Sequence, residues 1–258
     1  KLIDDLKKQG IQAEKLVLRD YPDFKQGLYI WEYDYLLKIK EFAQGQFYVQ
    51  DVSSMLPVWF LNPKEGDFVV DVCAAPGGKS MHIAEKLSGK GKVIARDLSE
   101  YKVSLIRDNI ERMGYGNIEV QVYDAGRLDD SLIGKADVVL ADLPCSGLGV
   151  MGKKRDIKYR ITKEGIEELV KLQRKILGAV WQYVKPGGVL IYSTCTINPD
   201  ENEHMVKWLS EQSPFVLESL SPFLPKALSG EEKEGMLQLY PGIHETDGFF
   251  LARLRRVD

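Results

Sequence analysis

Phe68-Val69-Val70-Asp71-Val72-Cys73-Ala74-Ala75-Pro76-Gly77-Gly78-Lys79 passes from an apolar run, through a turn of small residues, into a helical pattern. An apolar run this short, closed by a glycine turn, predicts a buried strand. The small side chains of the turn let a ligand approach the backbone, and the N–H groups that open the next helix favour an anion. Outward from this unit the same alternation repeats. A helix is predicted over 79–87, a strand over 93–95, a helix over 100–113 and a strand over 118–122. Further strands follow over 136–141, 189–192 and 249–254, with a long helix over 163–184 and another over 200–211. Strands that alternate with helices build a parallel sheet covered on both faces, so the fold class is α/β.

The 258 residues, 44% hydrophobic and 28% charged, suit a soluble protein with a sizeable core. Residues 1–65 mix short apolar stretches with turns (Tyr21-Pro22-Asp23, Lys25-Gln26-Gly27, Gln44-Gly45-Gln46) and predict a small α/β appendage; residues 66–258 form the main domain. The chain starts inside an amphipathic pattern, Leu2, Ile3 and Leu6 with Gly10 as its stop, which predicts further sequence upstream. No apolar run approaches the roughly 20 residues that cross a bilayer, and no basic-then-apolar leader opens the chain, so the cytoplasm is the expected compartment. Cys73, Cys145 and Cys195 form no CxxC pair. Neither disulfides nor a metal site is expected from them. The net charge of −3 does not announce a nucleic-acid binder. Between Gly152 and Lys163, however, six basic residues (Lys153, Lys154, Arg155, Lys158, Arg160, Lys163) stand against one acid, Asp156. Taken alone, that segment is as readily a solvated loop as a phosphate contact.

In an open parallel sheet a ligand sits beyond the carboxyl ends of the strands, where strand order reverses. Asp71, Asp97, Asp124 and Asp142 all stand at predicted strand ends. Each alone reads as a turn or cap residue; four in register make an acidic crevice. Such a crevice repels a diphosphate, and the turn lacks the spacing of a dinucleotide fingerprint. S-adenosylmethionine fits better, with its sulfonium, ammonium, ribose diol and single carboxylate. Asp97 follows Gly78 by 19 residues, near the about 20 at which an acid reaches a ribose diol. Cys145 and Cys195 end the fourth and fifth predicted strands. If those strands are neighbours about 4.8 Å apart, both thiols face one pocket. Cys73 reads instead as a buried small hydrophobe. Two thiols suit methylation of carbon five of cytosine. That carbon is too electron-poor to attack a sulfonium methyl until a thiolate adds to carbon six, and a base must then remove its proton. Asp142 is placed to hydrogen-bond the ring edge.

DVCAAPGGK (71–79), DLPCSG (142–147), STCTINPDENE (193–203) and DGFFLARL (247–254) together resemble the motifs of the Sun family of RNA 5-methylcytosine methyltransferases. The resemblance runs from about residue 10 to the end, and is greatest to the bacterial members that act on small-subunit ribosomal RNA. It implies a class I, Rossmann-like methyltransferase fold with a seven-stranded, mostly parallel sheet, acting as a monomer. It implies that Cys73, Ala74, Ala75, Pro76, Gly77, Gly78 and Lys79, with Asp97, Asp124 and Asp142, bind S-adenosylmethionine. By the same resemblance Cys195 is the nucleophile and Cys145 helps release the product. RNA is the expected partner, met by the appendage and by Lys153, Lys154, Arg155 and Lys158. Two positions depart from the family pattern: Gly152 replaces an arginine and Arg155 a proline. Spacing alone leaves other readings open, namely DNA or another RNA as substrate, a non-catalytic RNA-binding scaffold, or a nicotinamide oxidoreductase.

Overall fold

The computed structural model describes residues 1–18, 27–225, 228 and 230–258. The expected turn at Tyr21-Pro22-Asp23, and Lys25 and Gln26 of the next, lie outside the described residues. Helix α1 (Leu2–Lys8), a hairpin of β1 (Gln12–Lys15) and β2 (Leu28–Trp31), and the short α2 (Lys40–Ala43) form the appendage. It has its own core, in which Leu6, Ile11, Ala13, Ile39 and Phe42 are buried together.

The chain then enters α3 (Val52–Leu61), β3 (Phe68–Asp71), α4 (Gly78–Lys86), β4 (Lys92–Asp97), α5 (Glu100–Met113), β5 (Ile118–Val122) and β6 (Ala136–Asp142). After α6 (Ile157–Arg160) and α7 (Lys163–Val180) come β7 (Val184–Thr194), α8 (Glu203–Gln212), β8 (Phe215–Leu217), β9 (Glu232–Lys233), β10 (Met236–Leu239) and β11 (Phe249–Arg256). The sheet order is β5-β4-β3-β6-β7-β11-β10-β9, with β8 paired to β11. The five strands from β5 to β7 are parallel, and β11 inserts antiparallel between β7 and β10.

This order explains where a ligand goes. From β3 the chain winds outward through β4 to β5, then returns to the other side of β3 for β6 and β7. The switch point lies between β3 and β6, and the crevice beyond their carboxyl ends is the binding position of this architecture. Successive residues of each strand serve opposite cores. Val70, Val139, Leu190 and Tyr192 pack with Ile176, Leu177 and Val180 of α7; Val69, Leu140 and Ile191 pack with Phe60 of α3 and Ile83 of α4. Although α3 falls within the stretch read as the appendage, it buries its apolar residues on the large sheet.

Among the described residues the sheet has nine strands where seven were expected. The surplus pair, β8 and β9, is three and two residues long, too short to display an alternating pattern. Helix α7 ends at Val180, and a 3-10 turn over Trp181–Tyr183 leads into β7 five residues before the predicted start. Pro186, Gly187 and Gly188 lie in the register shift between Ala136↔Val184 and Val138↔Val189, which hides the beginning of this strand. Likewise α8 starts at Glu203, after a 3-10 turn over Pro199–Glu201.

Candidate active site

The turn after β3 is anchored at both ends. Asp71 is buried and accepts from Ser80 Oγ at 2.6 Å. Asp97, at the end of β4, accepts from Ala75 N at 3.0 Å and from Leu98 N at 2.8 Å, and Lys102 Nζ lies 3.1 Å from its Oδ1. Gly77 precedes α4 with φ 103°, a left-handed conformation that favours glycine, and a Cβ there would press on Ile106. Asp97 thus does something that spacing alone did not reveal: it anchors the turn through Ala75 N. Asp124 follows β5 and accepts from Gly126 N at 2.9 Å. Asp71 and Asp97 are both buried, Asp71 facing inward to Ser80, and Asp124 and Asp142 are the more accessible pair.

Asp142 closes β6. Lys79 Nζ stands 2.7 Å from one carboxylate oxygen, and Ser193 Oγ donates to the other at 2.7 Å. Burial works against the Lys79 charge, but Asp142 outweighs it and holds the ammonium above its ordinary range. Lys79 is therefore spent on Asp142 and is not a free anion ligand.

Pairing of β6 with β7 sets Asp142 opposite Ser193, and a few residues on it brings Cys145 Sγ and Cys195 Sγ to 3.3 Å. Sharing one proton between two thiols separates their acidities. The hydrogen bond with Cys145 lowers Cys195, assisted by Lys79 and Lys154 and opposed by burial and Asp142. The same hydrogen bond, with burial, raises Cys145. Cys73 is pushed up by burial and by neighbouring aspartates, which makes it a poor nucleophile.

What sequence reasoning missed is the clamp behind the sulfurs. Glu201 is fully buried and accepts from Ser146 N at 2.8 Å, Ser146 Oγ at 2.5 Å, Gln173 Nε2 at 3.1 Å and Asn198 Nδ2 at 3.1 Å. Ser146 Oγ also meets Thr196 Oγ1 at 2.7 Å. The residues that follow each cysteine are thereby tied to one carboxylate. Gly149 N donates to the Cys195 carbonyl at 3.1 Å, and Gly149 lies so close to Gly248 that a Cβ on either would collide with the other's backbone. Of the expected RNA-contacting residues, Lys154, Arg155 and Lys158 are exposed. Lys153 is exposed too, but is paired with Asp51 and, at 2.8 Å, with Asp247.

Residues 58–255 match the family described as 16S rRNA methyltransferase RsmB/F. The chain belongs to this family. Ribosomal RNA small subunit methyltransferase F of Enterobacter sp. (strain 638) is 37% identical over 220 residues, covering 84% of this chain and 46% of that protein. Probable ribosomal RNA small subunit methyltransferase B of Bacillus subtilis (strain 168) is 36% identical over 259 residues, covering 99% and 56%. The chain thus spans about half the length of these relatives. The crystal structure of NSun6 from Pyrococcus horikoshii with SFG superposes with a TM-score of 0.78 at 38% identity, over 88% of this chain and 57% of that one. The fold is that of S-adenosylmethionine-dependent methyltransferases, and the donor set of this RsmB/F chain fits the cofactor. The α4 N-terminus suits its carboxylate, Asp97 its ribose diol, and the carboxylates of Asp124 and Asp142 its cationic groups.

Proposed function

We propose that the chain methylates carbon five of a cytosine in RNA, with small-subunit ribosomal RNA as the substrate and Cys195 as the attacking group. The observation that carries this reading is the pair of sulfurs 3.3 Å apart beside Asp142. Methylation of an amine or a hydroxyl needs no such pair. The names of the relatives supply the substrate class, and the acidic crevice supports the cofactor.

S-adenosylmethionine, when bound, supplies the electrophilic methyl group. Cys195, made more acidic by its hydrogen bond with Cys145, adds as the thiolate to carbon six, and the ring becomes an enamine at carbon five. Asp142 is held in place by Lys79 and Ser193 and accepts a hydrogen bond from the ring edge. Once Cys195 is a thioether it carries no charge, so the largest of the causes that hold the proton on Cys145 is gone, although burial remains. Cys145 releases that proton to solvent, its thiolate takes the proton on carbon five, and the bond from Cys195 to carbon six breaks with its electron pair returning to Cys195 as the thiolate.

Alanine variants separate the two roles. Cys195→Ala is expected neither to turn over nor to attach to RNA. Cys145→Ala is expected to methylate once and stall, leaving a covalent protein–RNA band on a denaturing gel. A band that accumulates only in Cys195→Ala would reverse the assignment. Intact methylation in both variants, with no band in either, would remove the cysteine mechanism.

A further inference from the structure

The sulfurs of Cys145 and Cys195 lie 3.3 Å apart, and a disulfide bond is about 2.05 Å long. The two side chains share a closure of about 1.3 Å, which small rotations inside their rotamer wells can supply. The loops that carry them are held together already. Asp142 and Ser193 pair across β6 and β7, and Gly149 N donates to the Cys195 carbonyl. Glu201 accepts from Ser146, whose hydroxyl also meets Thr196. Both cysteines are partly exposed, so a small solute has access to them. Cys73 follows β3 and has no part in this pair.

The two thiols also differ in the way that oxidation by a peroxide requires. A hydroperoxide reacts with a thiolate, and the sulfenic acid so formed condenses with a thiol beside it. Cys195 is the more acidic of the two, through its hydrogen bond with Cys145 and with help from Lys79 and Lys154. Cys145 keeps its proton and touches the sulfur that is oxidised first. A sulfenic acid without such a neighbour climbs to sulfinic acid, from which thiols do not recover it. Cys73, pushed up by burial and by neighbouring aspartates, is a poor target.

We propose that Cys145 and Cys195 form an oxidative modification site, at which a hydroperoxide closes a reversible disulfide that switches methyl transfer off. In the first step the Cys195 thiolate bonds to one peroxide oxygen, the O–O bond breaks, and the other oxygen leaves as hydroxide. In the second the Cys145 sulfur attacks the Cys195 sulfur, the S–O bond breaks, and the departing hydroxide leaves as water with the Cys145 proton. The sulfurs lose two electrons and the peroxide gains them. The disulfide needs only the sulfurs, whereas the loss of methyl transfer rests on the reading of Cys195 as the attacking group.

The test treats the whole reduced chain with hydrogen peroxide and follows free thiols, peptide masses and RNA methylation. Two of the three thiols are expected to vanish. A cross-link between Cys145 and Cys195 should appear, lighter by two hydrogens, and methylation should fall in proportion to it. Dithiothreitol should restore both. Cys145→Ser should instead hold Cys195 as a sulfenic acid, one oxygen heavier and trapped by dimedone, and Cys195→Ser should keep its thiols. Oxygens gained without a cross-link, a cross-link to Cys73 or between two chains, or survival of all three thiols would overturn the proposal. Methylation by a reduced chain that forms no cross-link defeats the modification site alone. A cross-link in a chain that methylates no RNA when reduced defeats the functional reading alone. Methylation that persists after complete cross-linking would overturn the switch together with the role of Cys195.

Discussion

Glu201 is wholly buried, and the groups on its oxygens are hydrogen-bond donors from Ser146, Gln173 and Asn198. In Glu201→Gln one oxygen becomes an amide N–H₂ that must face donors already in place. The expected loss is about 1–3 kcal/mol, the effect of leaving buried polar groups unpaired. Urea unfolding measures it, and an unchanged midpoint would mean that the clamp holds nothing. Asp71 gives a pH dependence. Burial raises its carboxyl from 3.8 to about 7, against the pull of Ser80 and Lys79. The folded value lies above the unfolded one, so the native state binds the proton more tightly. Its contribution is fully present below about pH 4 and is lost as pH rises through about 7. Asp71→Asn keeps an oxygen for Ser80 and removes this decline. The variant should therefore gain on the wild type between about pH 4 and about pH 7. Parallel stability curves would place the titration elsewhere.

Helix α5 shows what made some elements legible. Ser99 caps its start, accepting from Lys102 N at 3.3 Å, and Gly114 ends it at φ 75°; the predicted bounds coincide with the observed ones. Thr162 marks the start of α7 in the same way, through Gly165 N at 3.0 Å. Its end was not legible, because Trp181 and Tyr183 prolong an apolar pattern past the last helical turn. The cysteines and aspartates could be found because each stands at a strand end. The Glu201 clamp could not, since it exists only when two loops and Gln173 of α7 converge. The charge of the segment after Cys145 was legible, but its division was not. All four basic residues Lys153, Lys154, Arg155 and Lys158 are exposed, but Lys153 is held in ion pairs with Asp51 and Asp247. If this segment meets phosphate, Lys154→Ala and Lys158→Ala should each reduce the slope of log affinity against log salt by about one unit. Lys153→Ala should leave that slope nearly unchanged. A slope that responds to Lys153 alone would show the ion pairs opening on RNA.

The appendage has a core of its own, but Leu18 is buried in the core of the large sheet with Phe60 and Ile83, Leu16 packs against it, and a second contact lies at the end of α5. Gly45, at φ 70°, sits where any Cβ would strike the carbonyl of Arg112. The Arg112 guanidinium donates from Nη1 to Phe42 O at 2.9 Å and to Phe47 O at 3.0 Å, and lies 3.8 Å from the centroid of the Phe42 ring. One side chain thus supplies two hydrogen bonds and a cation–π contact to the appendage. The described part of that domain is small, with a core of a few residues, and such a unit opens locally before the whole protein unfolds. Arg112→Ala should loosen the appendage, still held through Leu16 and Leu18, without melting the sheet. Amide exchange should rise over β1, β2 and α2 and stay slow in β3, β6 and β7. Cofactor affinity should persist, because the crevice is built from strand ends that Arg112 does not touch. RNA affinity should fall if the appendage meets RNA. Exchange rising equally in the appendage and in the central strands would mean that the two cores fold as one unit and that the contact at Arg112 is not a joint.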